Sequence, residues 1–197
     1  MGVNPIILKK IKKNNGIITT SEVIALGFSK TLLTNYVKQG SLERIRHGTY
    51  ILSDSIHDDM YTLMLRSEQI VFSHDTAAFL NGMSDRTPFV HSVTLPRGKS
   101  LPNSLRNECK SYHTKPELYD IGLIEKTTTF GNVVRIYNAE RTICDILRSR
   151  SRLDTETVIA IIKNYANSKD KDLNLLFSYS KKFKVEKQLQ GYMEVLL

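Results

Sequence analysis

The chain has 197 residues, 41% hydrophobic and 24% charged, which is enough apolar material for one or two packed cores and leaves no low-complexity tail. Its formal net charge of +8 favours polyanionic partners, nucleic acid before an anionic membrane surface. No apolar run approaches the roughly 20 residues that span a bilayer, and the early lysines (Lys9, Lys10, Lys12, Lys13) precede no long apolar stretch, so a cytoplasmic protein with no membrane partner is expected.

The first predicted element is a helix from Pro5 to about Asn14. Asn4 is placed to cap it and Pro5 suits its first position. Ile7, Leu8 and Ile11 form one stripe, and the four lysines gather toward the end where the helix dipole favours cations. Asn14-Asn15-Gly16 stops it, and Ile17-Ile18 is a short apolar piece. A second helix starts with Thr20 or Ser21 as cap, buries Val23, Ile24 and Leu26, and ends at Gly27. The third, capped by Ser29, runs from Lys30 to Gln39 and ends at Gly40. Leu32, Leu33, Tyr36 and Val37 fall on one face; Lys30, Thr31, Thr34, Asn35 and Lys38 fall on the other. Leu42 and Ile45 then mark one strand and Tyr50-Ile51-Leu52 another, joined by His47-Gly48-Thr49, with Gly48 free to take positive φ. Arg44, Arg46 and His47 sit near the tip of this hairpin. Three helices followed by a basic hairpin is the order of a winged helix-turn-helix, here within residues 1–55, with the third helix as the recognition helix. Those residues hold 8 basic and 3 acidic side chains, most of the chain's excess charge.

A link at Ser53-Asp54-Ser55 separates this unit from residues 56–197. There the pattern predicts a helix over Asp58–Glu68 with Met60, Leu63, Met64 and Leu65 inside, a strand at Ile70-Val71-Phe72, and a helix Thr76–Asn81 capped by Ser73 or Asp75 and ended by Gly82. Strands follow at His91–Leu95 and Cys109–His113, around a loop rich in breakers, then a hairpin of Leu123–Thr129 and Val133–Tyr137. Helices are expected over about 139–149, 155–167, 171–180 and 184–196. The fold class is therefore α+β: an N-terminal winged helix-turn-helix, then a mixed α/β domain with a helical C-terminus.

The chemistry offered is that of DNA recognition. Basic side chains neutralise phosphates and release counterions, while polar side chains on a helix in the major groove read base edges. Asn35 can pair bidentately with adenine, Thr31 and Thr34 can bond bases or touch a thymine methyl, and Lys30 and Lys38 can reach phosphate or guanine. Arg44, Arg46 and His47 can grip the backbone or enter the minor groove. Each feature alone equally describes a solvated helix face or a surface turn; their order and spacing carry the reading.

Catalysis has little support. Ser73-His74-Asp75 contains triad residue types, but sequence neighbours seldom face one another. Asp58 and Asp59 after His57 suit an acidic helix start better than a metal site. There is no G-x-x-x-x-G-K-[ST], no G-x-G-x-x-G and no C-x-x-C, so no enzyme, metal or cofactor is expected. Cys109 and Cys144 read as reduced thiols, Cys144 as a small buried residue of the run Ile143-Cys144-Asp145-Ile146-Leu147.

Several stretches resemble AbiEi-type antitoxins of type IV toxin–antitoxin (abortive infection) systems. They are Ile18-Thr19-Thr20-Ser21-Glu22 through Gly40-Ser41-Leu42-Glu43-Arg44-Ile45-Arg46-His47-Gly48-Thr49-Tyr50; Phe72-Ser73-His74-Asp75-Thr76-Ala77-Ala78; Gly82-Met83-Ser84-Asp85-Arg86-Thr87-Pro88; Thr94-Leu95-Pro96-Arg97-Gly98; and Arg135-Ile136-Tyr137-Asn138-Ala139-Glu140-Arg141-Thr142-Ile143-Cys144-Asp145. The resemblance implies a DNA-binding N-terminal domain and a C-terminal antitoxin domain. It implies repression of the protein's own operon through inverted repeats in promoter DNA; a protein monomeric in solution, with two copies on the operator, is expected. It also implies opposition to a nucleotidyltransferase-like toxin without a stable complex. For the second domain, the helix from Ala139 sets Arg141, Asp145 and Arg148 at spacings of four and three. These form either a solvated, ion-paired face or, with Arg141 and Arg148, a basic antitoxin surface that meets a polyanion. Two rivals stay open: a ligand-responsive repressor unrelated to a toxin, and an enzyme with a nuclease-like second domain.

Overall fold

The computed structural model describes residues 2–54 and 58–196, without the side chains of residues 195 and 196; Ser55 of the expected link and His57 lie outside the described residues. The α+β class is as expected: helices and two sheets, in two compact units. The first unit runs to Glu68 and takes in Thr127–Val133; the second comprises Gln69–Lys126 and Val134–Leu197. The division falls after Glu68 where the sequence suggested residue 55.

The first unit contains α1 (Pro5–Lys13), β1 (Ile17–Thr19), α2 (Thr20–Ala25), α3 (Lys30–Lys38), β2 (Leu42–Arg46), β3 (Thr49–Leu52) and α4 (Asp59–Arg66). Asn4 caps α1 as expected, its side chain accepting from the Ile6 N–H. Ile17-Ile18 is more than a connector: β1 pairs antiparallel with β3, Ile18 opposite Tyr50, giving a three-stranded sheet of order β1-β3-β2. The cap of α2 is Thr19, one residue earlier than expected. It forms a capping box with Glu22, whose carboxylate reaches back to the Thr19 N–H at 2.9 Å. Burial pushes the Glu22 carboxyl up, but bonds from Thr19, Asn14 and Lys10 outweigh it and hold the group below its ordinary range. Of the three residues expected to be buried on α2, only Val23 is; Ile24 and Leu26 stay 56% and 37% exposed, because a six-residue helix turns only one side chain inward.

The core of this unit is Ile7, Ile11, Ile18, Val23, Leu33, Tyr36, Leu42 and Tyr50. The Tyr36 hydroxyl leaves it to accept from the Asn4 N–H at 2.9 Å, tying α3 to the start of α1. Asp58 caps α4 and is itself buried. Its second oxygen accepts from Thr128 at 2.5 Å and Asn132 at 3.0 Å, and Asn15 donates to Asn132 at 2.8 Å. These bonds fasten the 127–133 turn to the first unit and explain Asp58 without a metal.

The second unit contains β4 (Val71–Phe72), α5 (His74–Leu80), β5 (His91–Pro96), β6 (Cys109–Thr114), α6 (Pro116–Tyr119), β7 (Leu123–Thr127), β8 (Val133–Tyr137), α7 (Ala139–Arg148), α8 (Thr155–Asn167), α9 (Leu173–Phe183) and α10 (Glu186–Leu196). Its sheet is mixed, in the order β6-β5-β4-β8-β7, with β5 parallel to β6 and β4 parallel to β8. Ile143, Cys144, Ile146 and Leu147 of α7 pack with Ile161, Ile162 and Tyr165 of α8, Leu176 and Phe183 of α9, and Leu189 of α10. Both cysteines are buried and outside any disulfide, and burial pushes Cys144 up to about 12, out of nucleophilic range.

One expectation needs correction. Arg141 belongs neither to a solvated face nor to a basic surface, because it is fully buried, as is all of α7 from Glu140 to Leu147. Its guanidinium donates to Asp145 at 2.9 Å and to the carbonyls of Leu118 and Ile121 at 2.6 and 2.8 Å. It lies 4.0 Å from the ring centres of both Tyr137 and Phe183. Protein covers the polar stripe of this helix. Arg148, beyond the buried turns, is exposed.

Candidate nucleic-acid interface

The two faces of α3 separate cleanly. Leu33 and Tyr36 are buried and Leu32 and Val37 half-buried, whereas Lys30, Thr31, Thr34, Asn35 and Lys38 are all exposed. Ser29 caps the helix, its hydroxyl accepting from the Thr31 N–H at 3.2 Å. Gly27, at φ +85, makes the short turn from α2 possible. The sequence thus places three uncharged polar side chains between two lysines on one accessible face. Among the described residues, neither lysine has a carboxylate within ion-pair distance.

On the hairpin, Arg44, Arg46 and His47 are exposed, as expected, but they are not equivalent. The register shifts between Arg44 and Arg46, and Gly48 takes φ +74 in the turn. Arg44 donates to His47 Nδ1 at 2.8 Å. Arg46 lies 2.5 Å from Glu68, so its charge is already partly met. Any phosphate at Arg46 competes with that carboxylate, whereas Arg44 faces no such competitor. Nothing in the local pattern announced a partner 22 residues away.

In the second unit, Ser73-His74-Asp75 forms no triad. The His74 ring lies between two hydroxyls, Ser73 Oγ at 2.9 Å from Nδ1 and Ser149 Oγ at 3.1 Å from Nε2; the Asp75 carboxylate instead accepts from the Thr76 N–H. Burial, then the charges of Arg148, Lys110, Arg141 and Arg152, hold His74 well below the ordinary imidazole range, so it is neutral. It stacks on Tyr112 with ring centres 3.4 Å apart. Lys110 and Arg152 lie over the Tyr112 ring, and Arg148 donates to the carbonyl of its neighbour His113; of these three, only Arg148 was singled out from the sequence. The readable signal was the alternation Arg148-Ser149-Arg150-Ser151-Arg152. Among the described residues, no group of three His, Cys, Asp or Glu side chains could hold a metal ion, and no helix is long and apolar enough to cross a membrane.

Residues 5–53 match the family model described as "Transcriptional regulator, AbiEi antitoxin". The match supports the AbiEi-type resemblance read from the sequence and an antitoxin-regulator role, and it falls on the elements from α1 to β3. Among solved structures, the chain is similar to the RV2827C protein from Mycobacterium tuberculosis. That crystal structure aligns over 96% of this chain and 79% of its own at a TM-score of 0.65 and 15% identity, a likeness of fold. Comparison with curated proteins gives no match.

Proposed function

We propose that the first unit is a winged helix-turn-helix that docks α3 in the major groove of promoter DNA, and that the protein is the antitoxin and autorepressor of a type IV toxin–antitoxin system. The observation that carries this reading is the exposed face of α3, Lys30, Thr31, Thr34, Asn35 and Lys38, beside a hairpin whose Arg44 has no carboxylate partner among the described residues. Asn35, Thr31 and Thr34 read base edges; Lys30, Lys38 and Arg44 hold phosphates, with Arg46 and His47 at the margin. In this reading the protein is cytoplasmic and non-enzymatic, and binds inverted repeats as two copies. It confers its share of phage resistance by opposing a nucleotidyltransferase-like toxin without forming a stable complex with it. The family match over residues 5–53 supports the regulator half directly and the toxin half by association.

The test is a binding titration of the full chain on its own promoter over a range of salt. If about four to six phosphates are neutralised per protomer, log K falls against log salt with a slope of about −4 to −5. Salt-independent binding would refute the phosphate contacts, and equal affinity for promoter and random duplex would refute base reading.

A second reading has one observation in its favour. A cleft of ≈ 340 Å³ in the second unit is lined by Met83, Asp85, Arg86, Asp154, Glu156 and Asn164 among others. A ligand-responsive repressor would release its promoter when a small polar molecule fills that cleft, and substitutions there would abolish the response while sparing promoter binding.

A further inference from the structure

We propose that the second unit carries a binding site for a phosphate dianion, built by Lys110, Arg148 and Arg152 around Tyr112. All three cations and Tyr112 belong to the second unit, and the site does not rest on DNA binding by the first.

Lys110 lies on β6, while Arg148 ends α7 and Arg152 closes the turn after it. The fold brings the last two to the first. The Lys110 ammonium is 5.7 Å from the centre of the Tyr112 ring, and the Arg152 guanidinium carbon is 4.4 Å from the same centre. Lys110 donates to the Arg152 carbonyl at 3.1 Å, and Arg148 donates to the carbonyl of His113, the neighbour of Tyr112, at 3.0 Å. Carbonyls thus hold Lys110 and Arg148 in place and the Tyr112 ring holds Arg152, and no carboxylate among the described residues pairs with any of them. Like charges gathered at one place repel, by about 1 kcal/mol for a pair about 4 Å apart in water and more where solvent is restricted. An anion among them removes that repulsion.

Two further observations point the same way. Tyr112 is 4% exposed, and its hydroxyl has no hydrogen-bond partner among the described residues. A buried polar group of that kind calls for a partner. His74, stacked on that ring, sits at φ +50. Strained backbone at a buried, non-glycine residue is the kind of cost that clusters at binding sites. The ligand class follows from the charge count. Three cations overmatch a phosphodiester, which carries one negative charge, but suit a terminal or free phosphate, which carries about −1.5 to −2 at neutral pH. The arginines can each present two N–H groups to its oxygens and the lysine a point charge.

The experiment is isothermal titration calorimetry of the full chain with inorganic phosphate, with ATP and with 3′,5′-cyclic AMP, at fixed ionic strength. Saturable binding of phosphate or ATP at one site per chain is expected, at least tenfold tighter than cyclic AMP. Comparable affinity for phosphate and ATP identifies the phosphate group alone as the ligand; clearly tighter ATP identifies a nucleotide. Arg152→Ala and Lys110→Ala should each weaken binding at least tenfold with an unchanged circular dichroism spectrum. Arg150→Ala, exposed and outside the cluster, should leave it unchanged. The proposal is overturned by absence of saturable binding, by cyclic AMP binding as tightly as ATP, or by equal losses in Arg150→Ala and Arg152→Ala. It is also overturned if Arg44→Ala abolishes the signal while Arg152→Ala does not, which would place the bound anion in the first unit.

Discussion

Replacing Arg141 by alanine is expected to unfold much of the population rather than to change a surface. The guanidinium is the donor for three buried acceptors, Asp145 at 2.9 Å and the carbonyls of Leu118 and Ile121 at 2.6 and 2.8 Å, and two aromatic rings lie against it. Asp145 is only 3% exposed, so without Arg141 its charge has neither water nor a partner. Removing one partner of a buried pair costs about 3–5 kcal/mol. Two carbonyls left without donors add roughly 1 kcal/mol each or more. The sum, about 5–7 kcal/mol, is comparable to the whole stability of an ordinary domain, about 5–15 kcal/mol. Urea denaturation of the full chain followed by circular dichroism measures it. The companion variant Arg141→Met/Asp145→Leu removes both charges and fills the space, and should recover at least half of the loss. A cost below about 1 kcal/mol for Arg141→Ala would refute the reasoning, as would a double variant no more stable than the single one. Loss of antitoxin activity in Arg141→Ala would therefore report folding, and Arg148→Ala is the informative substitution.

Three other outcomes are expected. Asn35→Ala should cost about 1–3 kcal/mol on the promoter and little on random duplex, while Arg44→Ala should weaken both and flatten the salt slope; Arg46→Ala should do less than Arg44→Ala, since Glu68 already meets its charge at 2.5 Å. Fluorescence anisotropy on the two duplexes checks all three, and equal losses for Asn35→Ala on both would count against base reading. Gly122→Ala should destabilise by about 2–4 kcal/mol through overpacking and strain, because Gly122 sits at φ +75 and a Cβ there would lie 2.6 Å from that of Arg141; an unchanged urea midpoint would contradict this. His74 is held neutral in the fold, so below about pH 6.5 the unfolded chain takes up a proton that the native chain refuses, and stability falls with pH by up to about 1.4 kcal/mol per unit. His74→Asn, which tolerates the left-handed backbone, should flatten that part of the profile, and an identical pH dependence in both proteins would refute the assignment.

The sequence was most legible where one residue type does one local job. Asn4, Pro5, Ser29, Gly27 and Gly48 act as written, and the α3 face divides as its periodicity says. It misled where tertiary packing overrides a local pattern. Ile17-Ile18 is too short a run to read as a strand; only pairing with β3 makes it one. The Arg141–Asp145 spacing is the same whether water or protein faces it, and here protein does. Lys110 and Arg152 are 42 positions apart, so no window along the chain could have joined them.

The turn from Thr127 to Val133 has a consequence for how such a gene can evolve and be cut. Its Thr128 and Asn132 supply the donors that Asp58 accepts, although they are encoded far downstream of everything else in the first unit. A gene fragment that stops at codon 55 or 68 leaves those donors behind. Recombination therefore cannot pass the first unit between proteins as an uninterrupted cassette. A chimera that keeps residues 1–68 of this protein inherits a working Asp58 anchor only if the new neighbour brings an equivalent loop. Weak promoter binding by a truncated chain would measure that missing loop before it measured any contribution of the second unit to DNA recognition.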